Sequence, residues 1–255
     1  MLENNNKISI QGIEGSFHHA VALEYFDEKI NINCCTSFDE LVESVIENNT
    51  VKGVMAIENS IAGSILPNYA LIDQNNLNII GEYYHQIKHS LLALPNQSMS
   101  DIHEVYSHPM ALLQCKDFFS NYPKIKLVES DDTAKSAKEI SDKKIKNRGA
   151  IASIEASDLY SLNVIKKSIQ TIKNNVTRFV IIQKDISLIK KNYNKVSLKF
   201  ILDHKRGSLA NILNVMSDCK LNLTKIQSLP VIETPGKYSF FVDLTFDSSS
   251  FFEKA

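Results

Sequence analysis

The sequence is poor in arginine: of its 28 basic residues only Arg148, Arg178 and Arg206 are arginine, and the rest are lysine. Only the planar guanidinium fork recognises a carboxylate through two parallel hydrogen bonds, so each arginine here is either a candidate for that task or an ordinary surface cation. Clustered positive charge is also missing, the formal net charge being -1. That excludes nucleic acid and an anionic membrane as expected partners, because counterion release needs concentrated cationic charge. The four cysteines, Cys34, Cys35, Cys115 and Cys219, show no CxxC spacing and read as small apolar side chains of a reducing compartment. No N-terminal apolar segment of the signal-peptide kind and no run of about 18 apolar residues occurs, so a soluble, cytoplasmic protein is expected. Metal-ligand spacings and a dinucleotide or phosphate loop are absent as well, and neither metal nor cofactor is expected.

What is present is a repeated strand, turn and helix order. At 255 residues the chain suits one large domain with a small companion. Lys7 to Gln11 reads as a strand, Gly12 to Ser16 as a turn and Phe17 to Phe26 as a helix. Ser16 is placed to cap that helix, and its free N–H groups make either a capped end or an anion site. Ile32 to Cys35 is a second strand, and Ser37 caps a helix from Phe38 to Glu47 with apolar residues at helical spacing. Gly53 to Ile57 is a buried strand running into Glu58-Asn59-Ser60, with a helix-like segment past Gly63. Taken singly, Glu58 reads as an ion-pair partner and Ser60 as a helix cap, yet the triplet leaves a buried strand where open α/β sheets bind ligands. Glu82 to Leu94 reads as one strand crossing between two lobes. Then come a strand ending at Ser107-His108, a helix from Met110 to Tyr122, a strand at Lys126 to Val128, and a helix opened by Asp132-Thr133. His108 alone reads as a core or capping histidine. A strand from Gly149 to Ser153 leads to a helix through Tyr160, and a largely parallel sheet in each lobe is expected.

The densest stretch is Asn174-Asn175-Val176-Thr177-Arg178-Phe179, before the apolar run Val180 to Ile182. A polar loop feeding a buried strand carries a hydroxyl, a guanidinium and an aromatic ring. Together these offer a proton donor, a carboxylate-binding group and a flank for an unsaturated ring. Lys184 to Asn194 reads as a linker. After it, a strand at Lys195 to Leu202, a helix from Gly207-Ser208-Leu209 to Cys219, and strands at Leu223 to Leu229 and Tyr238 to Phe246 make most of a ferredoxin-like βαββαβ unit.

Six of these segments, in order, resemble the prephenate dehydratase family. They are Gly12-Ile13-Glu14-Gly15-Ser16-Phe17, with Ile13 where proline is usual, Glu58-Asn59-Ser60 with Gly63, and His108-Pro109-Met110-Ala111-Leu112 with Gln114. Asp132-Thr133-Ala134, Ala150-Ile151-Ala152-Ser153 and Asn175-Val176-Thr177-Arg178-Phe179 complete the set. One such triplet is a common accident; six in the family's order are not.

The resemblance implies an α/β fold: a two-lobed catalytic domain of the type 2 periplasmic-binding-protein kind over residues 7–184. Lobe 1 would take about 7–83 and 168–184, and lobe 2 about 84–167. A ferredoxin-like ACT regulatory domain would follow over 195–255. By Ala255 its second helix has barely begun, so it is expected to be incomplete, with dimerisation through the open edge or disorder near the end. The implied reaction is the decarboxylating dehydration of prephenate to phenylpyruvate in an interlobe cleft, without cofactor. Thr177 is the implied donor to the leaving hydroxyl. Arg178 would orient a carboxylate or pair with Glu58 and shape the cleft, and Phe179 would pack the strand or touch the ring. Ser16, Phe17, Glu58, Asn59, Ser60, Thr133 and Asn175 would line the cleft, with His108 a neighbour. Phenylalanine is the implied effector, bound between subunits of a homodimer or homotetramer at Gly207, Ser208 and Leu209 and at Gln227 and Ser228. There the family's Glu-Ser-Arg-Pro segment reads Gln227-Ser228-Leu229-Pro230, without its acid or its arginine. The alternatives are arogenate dehydratase and a non-catalytic amino-acid-sensing binding protein.

Overall fold

Strand β1 (Lys7–Gln11) is buried at Ile8, Ser9 and Ile10, as a strand covered on both faces must be. The computed structural model describes residues 7–26, 30–47, 49–185, 193–203, 205–231 and 237–255. The chain falls into two compact units, Met1–Ile186 and Ser187–Ala255.

In the first unit β1 leads to α1 (Phe17–Phe26), β2 (Asn31–Cys35), α2 (Phe38–Ile46), β3 (Lys52–Asn59), β4 (Gly63–Ser64), α3 (Leu66–Gln74) and β5 (Asn78–Gln86). The second lobe holds β6 (Ser90–Ala93), β7 (Glu104–Ser107), α4 (Pro109–Gln114), α5 (Lys116–Phe119), β8 (Lys126–Glu129), α6 (Thr133–Lys143), β9 (Arg148–Ala152), α7 (Ile154–Leu159) and β10 (Asn163–Lys166). The chain then returns to the first lobe as β11 (Val176–Gln183). Side chains start several helices: Ser37 accepts from the Glu40 N–H, Asp132 from Lys135 and Ser153 from Ala156.

Both sheets are mixed, where largely parallel ones were expected. The first has the order β2-β1-β3-β11-β5, with β4 beside β3, and the second β10-β6-β9-β7-β8. In the first, β1 is parallel to β2 and β3, whereas β11 is antiparallel to both β3 and β5. The reason is the return path: β5 runs toward the second lobe and β11 runs back, inserted between β3 and β5. In the second sheet β7 is parallel to β8 and β9, and β6 is antiparallel to β9 and β10.

Three further expectations are corrected. The single strand expected over Glu82 to Leu94 is two strands of different sheets, β5 and β6, because the segment 87–89 changes lobe. The helix expected from Met110 to Tyr122 is α4 and α5, broken at Cys115. After Ser60 the chain makes the two-residue return strand β4 before α3 begins at Leu66.

The two crossings of the first unit are tied together. Ile87 N–H donates to Asn175 O (2.7 Å), Ile169 N–H to His89 O (2.8 Å) and His89 N–H to Gln170 Oε1 (3.0 Å). Asn175 and Gln170 are buried, so these polar residues serve the lobe boundary and not the surface.

In the second unit β12 (Lys195–Leu202), α8 (Ser208–Asp218), β13 (Asn222–Pro230), β14 (Tyr238–Thr245) and α9 (Ser249–Phe252) follow in order. The sheet order is β12-β14-β13, both pairs antiparallel, with a core of Met216, Leu221, Val242, Leu244 and Phe246. Residues 186–192 of the expected linker and the tail 1–6 lie outside the described residues. Among the described residues no helix is long and apolar enough to cross a membrane.

Candidate active site

The end of β3 and the start of β11 are joined by side chains as well as by the ladder. Thr177 opposes Asn59 on one side and His85 on the other. Ser60 N–H donates to Val176 O (2.8 Å), and Val176 N–H donates to Ser60 Oγ (2.9 Å). Ser60 therefore closes the open end of β11 and does not cap a helix.

Asn59 is the best-anchored side chain of the group. Its Oδ1 accepts from the main-chain N–H groups of Ile61 (3.0 Å) and Ala62 (2.9 Å). Its amide nitrogen donates to Asn175 Oδ1 (2.7 Å) and Thr177 Oγ1 (2.9 Å). A hydroxyl that receives a donor on its oxygen keeps its own hydrogen free to point elsewhere. Thr177, buried beside this amide, thus has its hydrogen available for a ligand.

Alternation along β11 separates its neighbours. Successive strand residues point to opposite faces, so Thr177 and Phe179 share one face and Arg178 takes the other. Phe179 lies in the core with Ile8, Ile10, Val21 and Ile181, its ring 5.0 Å from that of His18 in an edge-on contact. Arg178 is buried, and its Nε donates to Glu82 Oε2 at 2.8 Å. Glu58 and Tyr84 are its neighbours on the flanking strands.

The turn before α1 brings in the second lobe. Gly12 and Gly15 have φ of +96° and +83°, which a side chain would strain, and a Cβ on Gly15 would press on Tyr160 and Ala156 of the other lobe. Ser153 Oγ donates to Gly15 O (3.0 Å), and the Tyr160 hydroxyl donates to Glu14 O. Burial pushes the Tyr160 hydroxyl up to about 12, so it remains a donor. Ser16 is buried and its Oγ accepts from His19 N–H (3.2 Å), capping α1. Thr133 opens α6 behind Asp132, whose carboxylate lies against Gly12. Phe17, at the start of α1, stands between the rings of His85 (6.0 Å) and His89 (5.6 Å).

A second group meets Asn175. Gln114 Oε1 accepts from Asn175 Nδ2 (2.9 Å) and lies 2.9 Å from His89 Nε2. Burial pushes the His89 imidazole below its ordinary value, against a smaller opposite pull from Gln114. His85 Nδ1 lies 3.1 Å from Glu24 Oε2. His108, in contrast, is exposed and caps α4 by accepting from Met110 N–H (3.2 Å).

The structure thus gathers Asn59, Ser60, Asn175 and Thr177 directly, and sets Ser16 and Phe17 on the same turn and Thr133 across from it. It turns Arg178 and Glu58 to the opposite face. Sequence reasoning left out His89, His85 and Glu82, and quoted Gln114 without giving it a place in the site. Gln114 ends the helix that His108 begins, a spacing that pointed to it; His89 carries no local signal, since it reads as one more strand position. No group of three or more His, Cys, Asp or Glu arranged to hold a metal ion occurs among the described residues.

Residues 8–187 match the model of the prephenate dehydratase family. The chain is similar to arogenate dehydratase 2 of Petunia hybrida, 38% identical over 88% of this chain and 57% of the relative. It is 37% identical to prephenate dehydratase of Methanocaldococcus jannaschii over 87% of this chain and 80% of the relative. Against four further relatives it spans between 58% and 66% of their length. The fold is shared with the prephenate dehydratase of Arthrobacter aurescens solved in complex with L-Phe, with a TM-score of 0.83, 24% identity and coverage of 94% and 80% of the two chains. This chain belongs to the prephenate dehydratase family.

Proposed function

We propose that this chain is a cytoplasmic prephenate dehydratase, which expels carbon dioxide and water from prephenate to leave phenylpyruvate. The bond from the ring to its carboxylate breaks, its electrons enter the ring, and the bond to the ring hydroxyl breaks on the far side. The departing hydroxide takes up one proton and leaves as water. Aromatisation drives the change, so the protein has to stabilise the leaving hydroxide and hold the ring still. In this reading Thr177 donates a hydrogen bond to the departing oxygen. A threonine hydroxyl is a very weak acid, so fixed donors aimed at the developing charge account for the catalysis better than full proton transfer.

The observation that carries the reading is the Asn59 amide, anchored by Ile61 and Ala62 and donating to Thr177 Oγ1 at 2.9 Å. Asn175 and Ser60 hold the same strand ends, and Ser16, Phe17 and Thr133 supply the wall from the helix starts. Arg178 and Glu58, on the other face, shape the sheet; Phe179 packs it and His108 caps α4. Incubation of the purified chain with prephenate is expected to release phenylpyruvate, and its absence at high enzyme concentration removes the reading.

A second reading, arogenate dehydratase, is favoured by the 38% identity to a relative of that name. The chemistry is the same on the aminated substrate, and side-by-side kinetics on the two substrates decides between them.

The second unit is read as an ACT regulatory domain. Its order β12-β14-β13 with α8 is that of three strands and one helix of a ferredoxin-like fold. Gly207 (φ +85°) turns the chain into α8 beside Ser208 and Leu209, and Gln227 and Ser228 lie in β13 opposite Phe241 and Phe240. Phenylalanine bound at these positions, in a homodimer or homotetramer, would regulate the enzyme. Calorimetric titration with phenylalanine, and light scattering for the assembly, test the two parts separately.

A further inference from the structure

The hydrogen-bond directions around Thr177 propagate from two atoms whose role admits no choice. A main-chain N–H can only donate, so the Asn59 atom that receives Ile61 and Ala62 is its oxygen and the other is its NH2. That NH2 faces Asn175 at 2.7 Å, so the receiving Asn175 atom is Oδ1 and the Asn175 NH2 faces Gln114. The Gln114 atom at 2.9 Å from it is then Oε1, an acceptor only. The same Oε1 lies 2.9 Å from His89 Nε2, and the contact is a hydrogen bond only if Nε2 carries the hydrogen. Amide ends and imidazole tautomers are ordinarily assigned by choice; here the main chain of residues 61 and 62 dictates all four.

We propose that His89 is a positioning residue for the dehydration site, a neutral Nε2–H donor that fixes the Gln114 amide with its NH2 turned outward as a donor. This rests on the dehydratase reading for its kinetic part. With Oε1 held between two donors, the Gln114 NH2 has one direction left. A flip would set it against the Asn175 NH2 and the His89 N–H, and both bonds of the Gln114 oxygen would be lost.

The surroundings of His89 suit one protonation state. The residue is 3% exposed, its Nδ1 is buried with no hydrogen-bond partner, and the Phe17 ring meets it edge-on. Protonation would bury a charge and leave a bare N–H there, which costs far more than a bare imidazole lone pair. Burial already holds the imidazole below its ordinary value. The ring therefore stays a single neutral tautomer while prephenate is turned over.

Two variants and one spectrum test this on the full chain. In H89Q the side-chain NH2 keeps a donor within reach of Gln114; in H89L the bulk remains and the donor is lost. H89L is expected to lower kcat about tenfold, the order of one neutral hydrogen bond, with KM changing less. H89Q should recover most of the loss, and Q114A should erase the difference between H89L and wild type. Equal loss in H89Q and H89L at unchanged Tm overturns the proposal. Independently of activity, the ring 15N shifts of labelled histidine, assigned by the signal missing in H89Q, should show an Nε2–H tautomer from pH 8 to pH 5. An Nδ1–H or charged ring overturns it even if H89L fails to fold. Wild type that turns over neither prephenate nor arogenate, with the Nε2–H tautomer present, removes the dehydratase reading and leaves the hydrogen-bond assignment standing.

Discussion

The two faces of β11 are built for different ends although their residues alternate one by one. On one face Thr177 reaches the polar end of the sheet while Phe179 and Ile181 enter the core against α1. On the other, Arg178 is held by Glu82 and is followed by the buried Val180 and Ile182. The triplet Thr177-Arg178-Phe179 is thus contiguous only in sequence. The period of two gives its hydroxyl and ring one surface and its charge another, and chemistry, charge and packing can be perturbed separately.

The largest expected effect is on packing. Phe179→Ala removes a fully buried ring from the first-lobe core and should cost about 3 to 5 kcal/mol, read as a drop in the denaturation midpoint at unchanged m-value. If this variant stayed as stable as wild type but lost turnover selectively, the division between Thr177 as chemistry and Phe179 as packing would fail. Thr177→Ala should show the reverse pattern. Turnover of prephenate should fall by about 10² to 10³, the scale of one lost preorganised donor, and stability by only about 1 kcal/mol, for the lost bond from the Asn59 amide. Near-normal turnover would end the chemical role of the hydroxyl.

How much of this could be read beforehand follows from what each residue signals locally. Most helices and strands of the first unit were legible because Ser37 and Asp132 announce helix starts and apolar spacing announces periods of 3.6 or 2. The direction of β11 was not, since nothing in an apolar strand says whether its neighbours run with it or against it. The break between β5 and β6 was hidden for a related reason: Ile87, Lys88 and His89 continue a strand-like pattern, and only the partners across two sheets divide it. The segments that hold the candidate site were visible as polar groups at strand ends, while their pairing was not. Arg178 suggested Glu58, its neighbour in register on β3, while the bond from its Nε to Glu82 of β5 carried no signal in the sequence. His89 became visible only when Gln114 and Asn175 were placed beside it.

Acid provides a third, intermediate probe of the Thr177 face. His18 packs on Phe179, and its Nε2 accepts from Ala56 N–H at 3.4 Å. Burial pushes its imidazole from 6.5 down to about 4. The unfolded chain takes up this proton near pH 6.5 and the folded chain only near pH 4. The neutral ring's contribution is therefore complete above pH 6.5 and is lost as the pH falls through that interval. Stability at pH 5 should lie about 2 kcal/mol below that at pH 8 from this group alone. Denaturant titrations of wild type and His18→Phe at the two pH values check it. An equal acid loss in the variant would show that His18 does not contribute.

The smallest expected effect isolates the other face. Glu82→Gln keeps an acceptor beside Arg178 but removes one negative charge within 2.8 Å of the buried guanidinium. Breaking a fully buried pair costs about 3 to 5 kcal/mol, and with Glu82 still partly exposed to solvent the loss should be nearer 1 to 2 kcal/mol. Because the guanidinium points away from Thr177, kcat and KM for prephenate measured well below the unfolding temperature should stay within about twofold of wild type, as for surface changes remote from a site. A large rise in KM without loss of stability would mean that Arg178 reaches the substrate after all. The alternation that separates charge from chemistry along β11 would then hold for the free enzyme alone, and closure of the lobes would have to bring the two faces' functions together.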